Sequence, residues 1–119
     1  MKTIEIANNL VDWYNKGEEA KCYQELYSDD IESIEAGNNY PKAQGMQEVQ
    51  KKGEWWNNTF EVHSTKASEP IVADNWFTTR FDMDVTHKES GQRSQMQELG
   101  VYQVKEGKII KEHFFYDAE

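Results

Sequence analysis

Glu35 closes the run YSDDIESIE, and alternation with Ile31 and Ser33 sets it on one side of a short strand. Glu98 and Tyr102 share one face of a later strand with Gly100 between them, and Glu112, Phe114 and Tyr116 alternate along the last strand. A carboxyl group sunk in an apolar hollow loses the water that stabilises its charge. Its pKa climbs, and it becomes an acid or a base usable near neutral pH. If Glu35, Glu98 and Glu112 converge, like-charge repulsion obliges at least one of them to keep its proton. Such a set suits proton transfer on a bound molecule, and it equally suits capture of a cation or an amine. The plain alternative leaves Glu35 in solvent at the end of its strand. Burial of Glu112 demands a partner, which Tyr102 or Tyr116 can supply as a hydrogen-bond donor. His63 qualifies as a proton shuttle, because an unperturbed imidazole titrates at ~6.5. Phe60 and Val62 take the apolar side of its strand, so the face of His63 stays open, while His87 and His113 read as surface positions.

The rings come next. Trp55, Trp56, Trp76, Phe81, Met83 and Phe114 offer more large apolar surface than a small core requires, and small-molecule pockets are mostly apolar with a few polar groups. Core packing is the simpler expectation for Phe81, Met83 and one of the two adjacent tryptophans. Trp76 falls on the polar register of its strand with Arg80, Asp82 and Asp84, which fits a subunit interface with a polar rim or a solvated face.

Several function classes are disfavoured by bulk properties. Twenty-two acidic residues against thirteen basic ones give a net charge of −9, which repels nucleic acid and anionic membrane surfaces. Cys22 is the single cysteine, so no internal disulfide and no zinc-type Cys/His cluster is expected. No glycine-rich phosphate loop, nucleophile elbow or metal motif occurs, and action without cofactor or metal is the expectation. The first residues lack the apolar run of a signal peptide, and a cytoplasmic location is expected.

The elements that must position these side chains follow from periodicity. Ile4, Ala7, Val11 and Tyr14, widened by Ile6, Leu10 and Trp13, predict a helix from Thr3 to Lys16, stopped by Gly17. Glu18 and Glu19 open a second, shorter helix whose apolar side is Ala20, Tyr23, Leu26 and Tyr27, broken at Ser28-Asp29-Asp30. A strand over Ile31 to Glu35 and a loop through Gly37-Asn38-Asn39 to Pro41 follow. A third helix spans about Gly45 to Asn57, with Met46, Val49 and Trp56 on one face. From Thr59 the period shortens to two. Asp74-Asn75, Lys88 to Gly91 and Glu106-Gly107 punctuate the strands that include Gln95 to Lys105 and Lys108 to Asp117. The result is an α+β meander in one domain covering residues 1–119.

This order of elements, the N-x-G between the first helices, the YSDDI entry to the first strand, GEWWNNTFEVH at the third helix and the ending ELGVYQVKEGKIIKEHFFYD together resemble the SnoaL-like branch of the NTF2-like superfamily. The resemblance implies a cone-shaped fold, with a curved, mostly antiparallel sheet wrapped over three helices around a central pocket. It also implies homodimers paired through the outer sheet face. Glu112, Phe114 and Tyr116 would then face the pocket with Glu35 and Glu98, and Trp55, Trp56 and Tyr102 would help line it. The superfamily includes cofactor-independent isomerases, cyclases and dehydratases beside members that only bind. Ketosteroid isomerases, similar in this segment, carry their proton-moving aspartate at the place of Glu35. Their protonated acid would fall near Gly100 and their helix tyrosine near Leu10, neither of which can donate a hydrogen bond. That departure speaks against steroid isomerisation. It leaves a pocket for a small hydrophobic molecule, with acid–base catalysis by Glu35, Glu98, Glu112 or His63 as the alternative.

Overall fold

The structure is a computed structural model and describes residues 1–37 and 39–117; Asn38, within the expected loop, lies outside the described residues. Three helices are formed, α1 (Thr3–Asn15), α2 (Glu19–Glu25) and α3 (Met46–Thr59). Among the described residues seven strands form one sheet: β1 (Tyr27–Ile34), β2 (Ala43–Gln44), β3 (Phe60–Ala67), β4 (Ile71–Ala73), β5 (Trp76–His87), β6 (Arg93–Lys105) and β7 (Lys108–Phe115). The order across the sheet is β2-β1-β7-β6-β5-β3, with β4 paired to β5. All pairings are antiparallel except that of β1 with β7. No helix among the described residues is long and apolar enough to cross a membrane.

The helix expectations hold to within two residues at each end. Ile6, Ala7 and Leu10 are fully buried along the stripe of α1, and Gly17, at φ 75°, takes the left-handed turn that ends it. Asn15 ties the end of α1 to the end of β3, donating to the Ala67 carbonyl at 3.0 Å and accepting from its N–H at 2.7 Å. Gly45, at φ 88°, precedes α3, and Glu48 accepts from the Gln44 N–H at 2.7 Å, satisfying a donor near that helix start.

The first strand differs from expectation. It begins at Tyr27, not Ile31, so Tyr27 belongs to β1 rather than to the apolar side of α2. Ser28-Asp29-Asp30 does not separate helix from strand, because β1 is paired on either side of it. Tyr27 sits opposite Ile109 of β7, and the register then shifts before Glu32 meets Lys111. The two short strands β2 and β4 also lie outside the predicted set; with two and three residues they carry too little periodicity to read.

The core lies between the helices and the inner face of the sheet, where Leu26, Ile31, Phe77, Tyr102 and Ile109 meet the stripe of α1. Gly100 is part of that packing. A Cβ there would lie 2.9 Å from Tyr102 Cε2 and 3.0 Å from Phe81 Cε2, so the absent side chain makes room for the Tyr102 ring. That ring stacks on Phe77, with centroids 4.7 Å apart. Gly100→Ala is therefore expected to cost about 1–3 kcal/mol by overpacking, measured as a lowered midpoint of chemical unfolding. The outer face carries the other register of the strands, with Trp76, Leu99 and Phe115 exposed and Arg80 paired with Asp82 and Arg93 with Asp84.

Candidate functional site

A cavity of about 490 Å³ opens between α3 and the inner face of the sheet. Trp55 and Trp56 of α3, Phe81 and Met83 of β5 and Phe114 of β7 give it apolar walls. Glu35, just beyond β1, Glu98 of β6 and Glu112 of β7 all line it. The three carboxyl groups singled out by alternation thus meet in one space, because β1, β7 and β6 are consecutive neighbours in the sheet.

Each carboxyl has a different environment. Glu112 is 1% exposed and accepts from Tyr27 Oη at 2.5 Å and from Ser33 Oγ at 2.7 Å. Burial drives its pKa up, and the two hydrogen bonds and Lys52 act against that rise. Glu35 forms an ion pair with Lys52 at 2.5 Å and accepts from Tyr116 Oη at 2.8 Å. The ammonium of Lys52 also donates to Ser33 Oγ at 2.7 Å, so a continuous polar chain runs from Glu35 through Lys52 and Ser33 to Glu112 and Tyr27. Glu98 lies outside this chain. Burial, then the charges of Glu35 and Glu112, push its pKa up to about 8, with Lys52 opposing. At neutral pH Glu98 is therefore a carboxylic acid able to donate its proton.

The remaining expected residues divide between the cavity and its surroundings. Trp55, Trp56 and Phe114 line it. Tyr102 is fully buried behind the wall, folded over Gly100, and its hydroxyl is the one buried side-chain polar atom among the described residues without a hydrogen-bond partner. Tyr116 touches the site through Glu35 and also borders a shallow cleft on the outside of the sheet with His113 and Phe115. His63 is not brought to the cavity. It follows cavity-lining Val62 and falls on the other face, where Nε2 lies 2.7 Å from Thr86 Oγ1 and Nδ1 lies 3.9 Å from Glu61.

Several cavity residues were not among the expected site residues. Lys52, 8% exposed, is the foremost. The signal for it lay in its spacing, since it falls three residues after Val49 and four before Trp56 and so interrupts the apolar stripe of α3. Tyr14 and Tyr23 from α1 and α2 also line the cavity, as does Glu19. Helix α1 thus does present a phenol, four residues after the Leu10 position that the isomerase resemblance indicated, while Leu10 itself is fully buried in the core.

Comparison with known proteins agrees with this architecture. A crystal structure of a Mesorhizobium loti protein, named as a candidate SnoaL-like polyketide cyclase, is similar to the chain at 36% identity and a TM-score of 0.91, covering 98% of this chain and 100% of the other. An NTF2-like protein from Burkholderia thailandensis matches at 15% identity and TM-score 0.84, over 98% of this chain and 92% of its own. A Jannaschia protein, also named as a candidate SnoaL-like polyketide cyclase, matches at 14% identity and TM-score 0.78, over 97% and 85%. The latter two share the fold alone. No curated protein matches the sequence. The model of the SnoaL-like domain matches residues 1–116, and with the 36% identical relative and the α+β architecture of helices under a mostly antiparallel sheet, the chain belongs to the SnoaL-like domain family within the NTF2-like fold.

Proposed function

We propose that the chain binds a small, largely apolar organic molecule in the cavity between α3 and the sheet. The observation that carries this reading is the cavity itself: about 490 Å³, walled by Trp55, Trp56, Phe81 and Phe114, with carboxyl groups and Lys52 set among the rings. That is the composition of small-molecule sites, in which rings supply affinity and sparse polar groups supply orientation. The two tryptophans provide the assay. Titration of the purified protein with small organic molecules is expected to change their fluorescence saturably, and Phe114→Ala to weaken the response. Native mass spectrometry checks for a molecule carried through purification. A library of small apolar and amphipathic compounds that leaves the fluorescence unchanged counts against the reading.

Acid–base catalysis on that molecule is the second reading, favoured by the contrast between two lining carboxyl groups. Glu98, with its pKa near 8, holds a proton to give, and Glu35 sits as the carboxylate partner of Lys52, placed to take one. A substrate spanning the two would lose a proton to Glu35 and gain one from Glu98, as in an isomerisation, cyclisation or dehydration. The activity would fall as pH rises through about 8, when Glu98 loses its proton. Turnover undiminished in Glu98→Gln and Glu35→Gln would remove both residues from such a mechanism.

Pairing of two copies through the outer sheet face belongs to the same reading. Exposed Trp76, Leu99 and Phe115, bordered by the Arg80–Asp82 pair, form a face with a ring-rich centre and a polar edge. Sedimentation at twice the chain mass, lost in Leu99→Lys, is the expected result; a monomer at high concentration would dismiss it.

A further inference from the structure

Five glutamates line the cavity, Glu19, Glu35, Glu54, Glu98 and Glu112, against a single cation, Lys52. Lys52 is already engaged, held between Glu35 at 2.5 Å and Ser33 at 2.7 Å. No other lysine, arginine or histidine among the described residues lines the space. An anionic occupant would therefore meet carboxyl groups with no counter-charge to offer it. A neutral occupant would leave the excess acidity as it stands. Glu35 and Glu112 already have partners and Glu19 and Glu54 are exposed, which leaves Glu98 as the carboxyl group that a cation would pair.

Glu98 shows the deficit most clearly. Among the described residues no hydrogen bond acts on its carboxyl; burial and the neighbouring charges set its pKa. The titratable groups around it in the cavity are Glu35, Lys52 and Glu54, Glu112 of β7, Glu19 and Tyr23 of α2, and Tyr14 of α1, and only Lys52 among them is positive. A second polar group lies on the same strand face without a partner. Tyr102 Oη is fully buried, unpaired, and folded over Gly100 in the direction of Glu98. The walls complete the pattern, because an ammonium is attracted to the faces of aromatic rings. The cavity already does this once: Lys52 Nζ stands 5.2 Å from the centroid of the Phe114 ring.

We propose that the occupant of the cavity is a small organic cation, an amine or quaternary ammonium with apolar substituents, seated against the tryptophan and phenylalanine rings with its charge toward Glu98. This rests on the cavity being a binding site and adds the class of molecule it takes. Binding of a cation favours the ionised form of Glu98, so the proton held there at neutral pH is released to solvent as the ligand enters. Affinity must then rise with pH through about 8, where half of Glu98 is ionised in the free protein, and level off above it.

Three probes of nearly the same shape test this: choline, its neutral carbon isostere 3,3-dimethylbutan-1-ol, and the anion 3,3-dimethylbutanoate. Choline keeps its charge at every pH, so any pH dependence reports on the protein. Tryptophan fluorescence and calorimetry should show choline binding at least about tenfold more tightly than the alcohol, and the anion more weakly still. The affinity for choline should rise about tenfold to a hundredfold between about pH 6 and pH 9, with proton release visible as a buffer-dependent heat. Glu98→Gln, close in shape and uncharged, should abolish the pH dependence and remove most of the preference for choline over the alcohol. Equal binding of the alcohol and choline would overturn the cationic class while leaving the cavity a binding site. Silence from all three probes at millimolar concentration would overturn both.

Discussion

Replacing Lys52 with alanine is expected to lower the unfolding free energy by about 3–5 kcal/mol, because it strands the Glu35 carboxylate in a poorly hydrated place without its counter-ion. The side chains of Lys52 and Glu35 are only 11% and 12% exposed, so water replaces the lost partner poorly. Ser33 Oγ loses its donor in the same step. The origin of the loss is separable from simple packing. Adding Glu35→Gln to Lys52→Met removes both charges and keeps much of the volume, so the double variant should recover most of the stability. Urea unfolding of the two single variants and the double variant measures this. A double variant as unstable as Lys52→Ala would mean that the lysine acts through its aliphatic stem and not through its charge.

Glu112→Ala is expected to cost about as much, roughly 3–5 kcal/mol, for a different reason. The Tyr27 and Ser33 hydroxyls both donate to this carboxyl, and both are buried. Truncation leaves two donors without acceptors and opens a void beside them. Glu112→Gln keeps the shape and an oxygen for Tyr27 but turns an amide toward Ser33, so a smaller loss, about 1–2 kcal/mol, is expected. The contrast is read from paired unfolding curves at neutral pH. Equal losses for alanine and glutamine would show that the acceptor pair at this position is not what holds β1 to β7.

The carboxyl set was legible because it obeys strand alternation. Glu98 sits between turns that the sequence marks clearly, Lys88 to Gly91 and Glu106-Gly107, where Gly91, Glu106 and Gly107 all take positive φ. Once those turns are placed, the faces of β6 and β7 follow. Lys52 was not legible in the same way. A lysine on an amphipathic helix ordinarily covers the solvated side, and only its interval from Val49 and Trp56 sets it on the buried one. Tyr27 was misplaced because Asp29 and Asp30 are poor strand formers, and what brings Tyr27 into β1 is its pairing with Ile109 of distant β7, on the far side of a register shift. The outward face of His63 follows from alternation with cavity-lining Val62, whereas the bulge after Val62, which brings Thr65 and not Ser64 to the cavity, leaves no mark in composition. The Gly100 notch filled by Tyr102 is likewise tertiary: a glycine in a strand signals close approach but does not say of what.

An acidic side chain retaining its proton in a ring-walled interior is the feature on which both the catalytic reading and the ligand class depend. Carbon-detected NMR titration of the glutamate carboxyl groups, with the Glu98 signal identified by its loss in Glu98→Gln, measures it directly. A midpoint near 8 is expected for Glu98 in the unliganded protein. A midpoint near that of a free glutamate, ~4.3, would place the group in water and contradict the cavity chemistry described above.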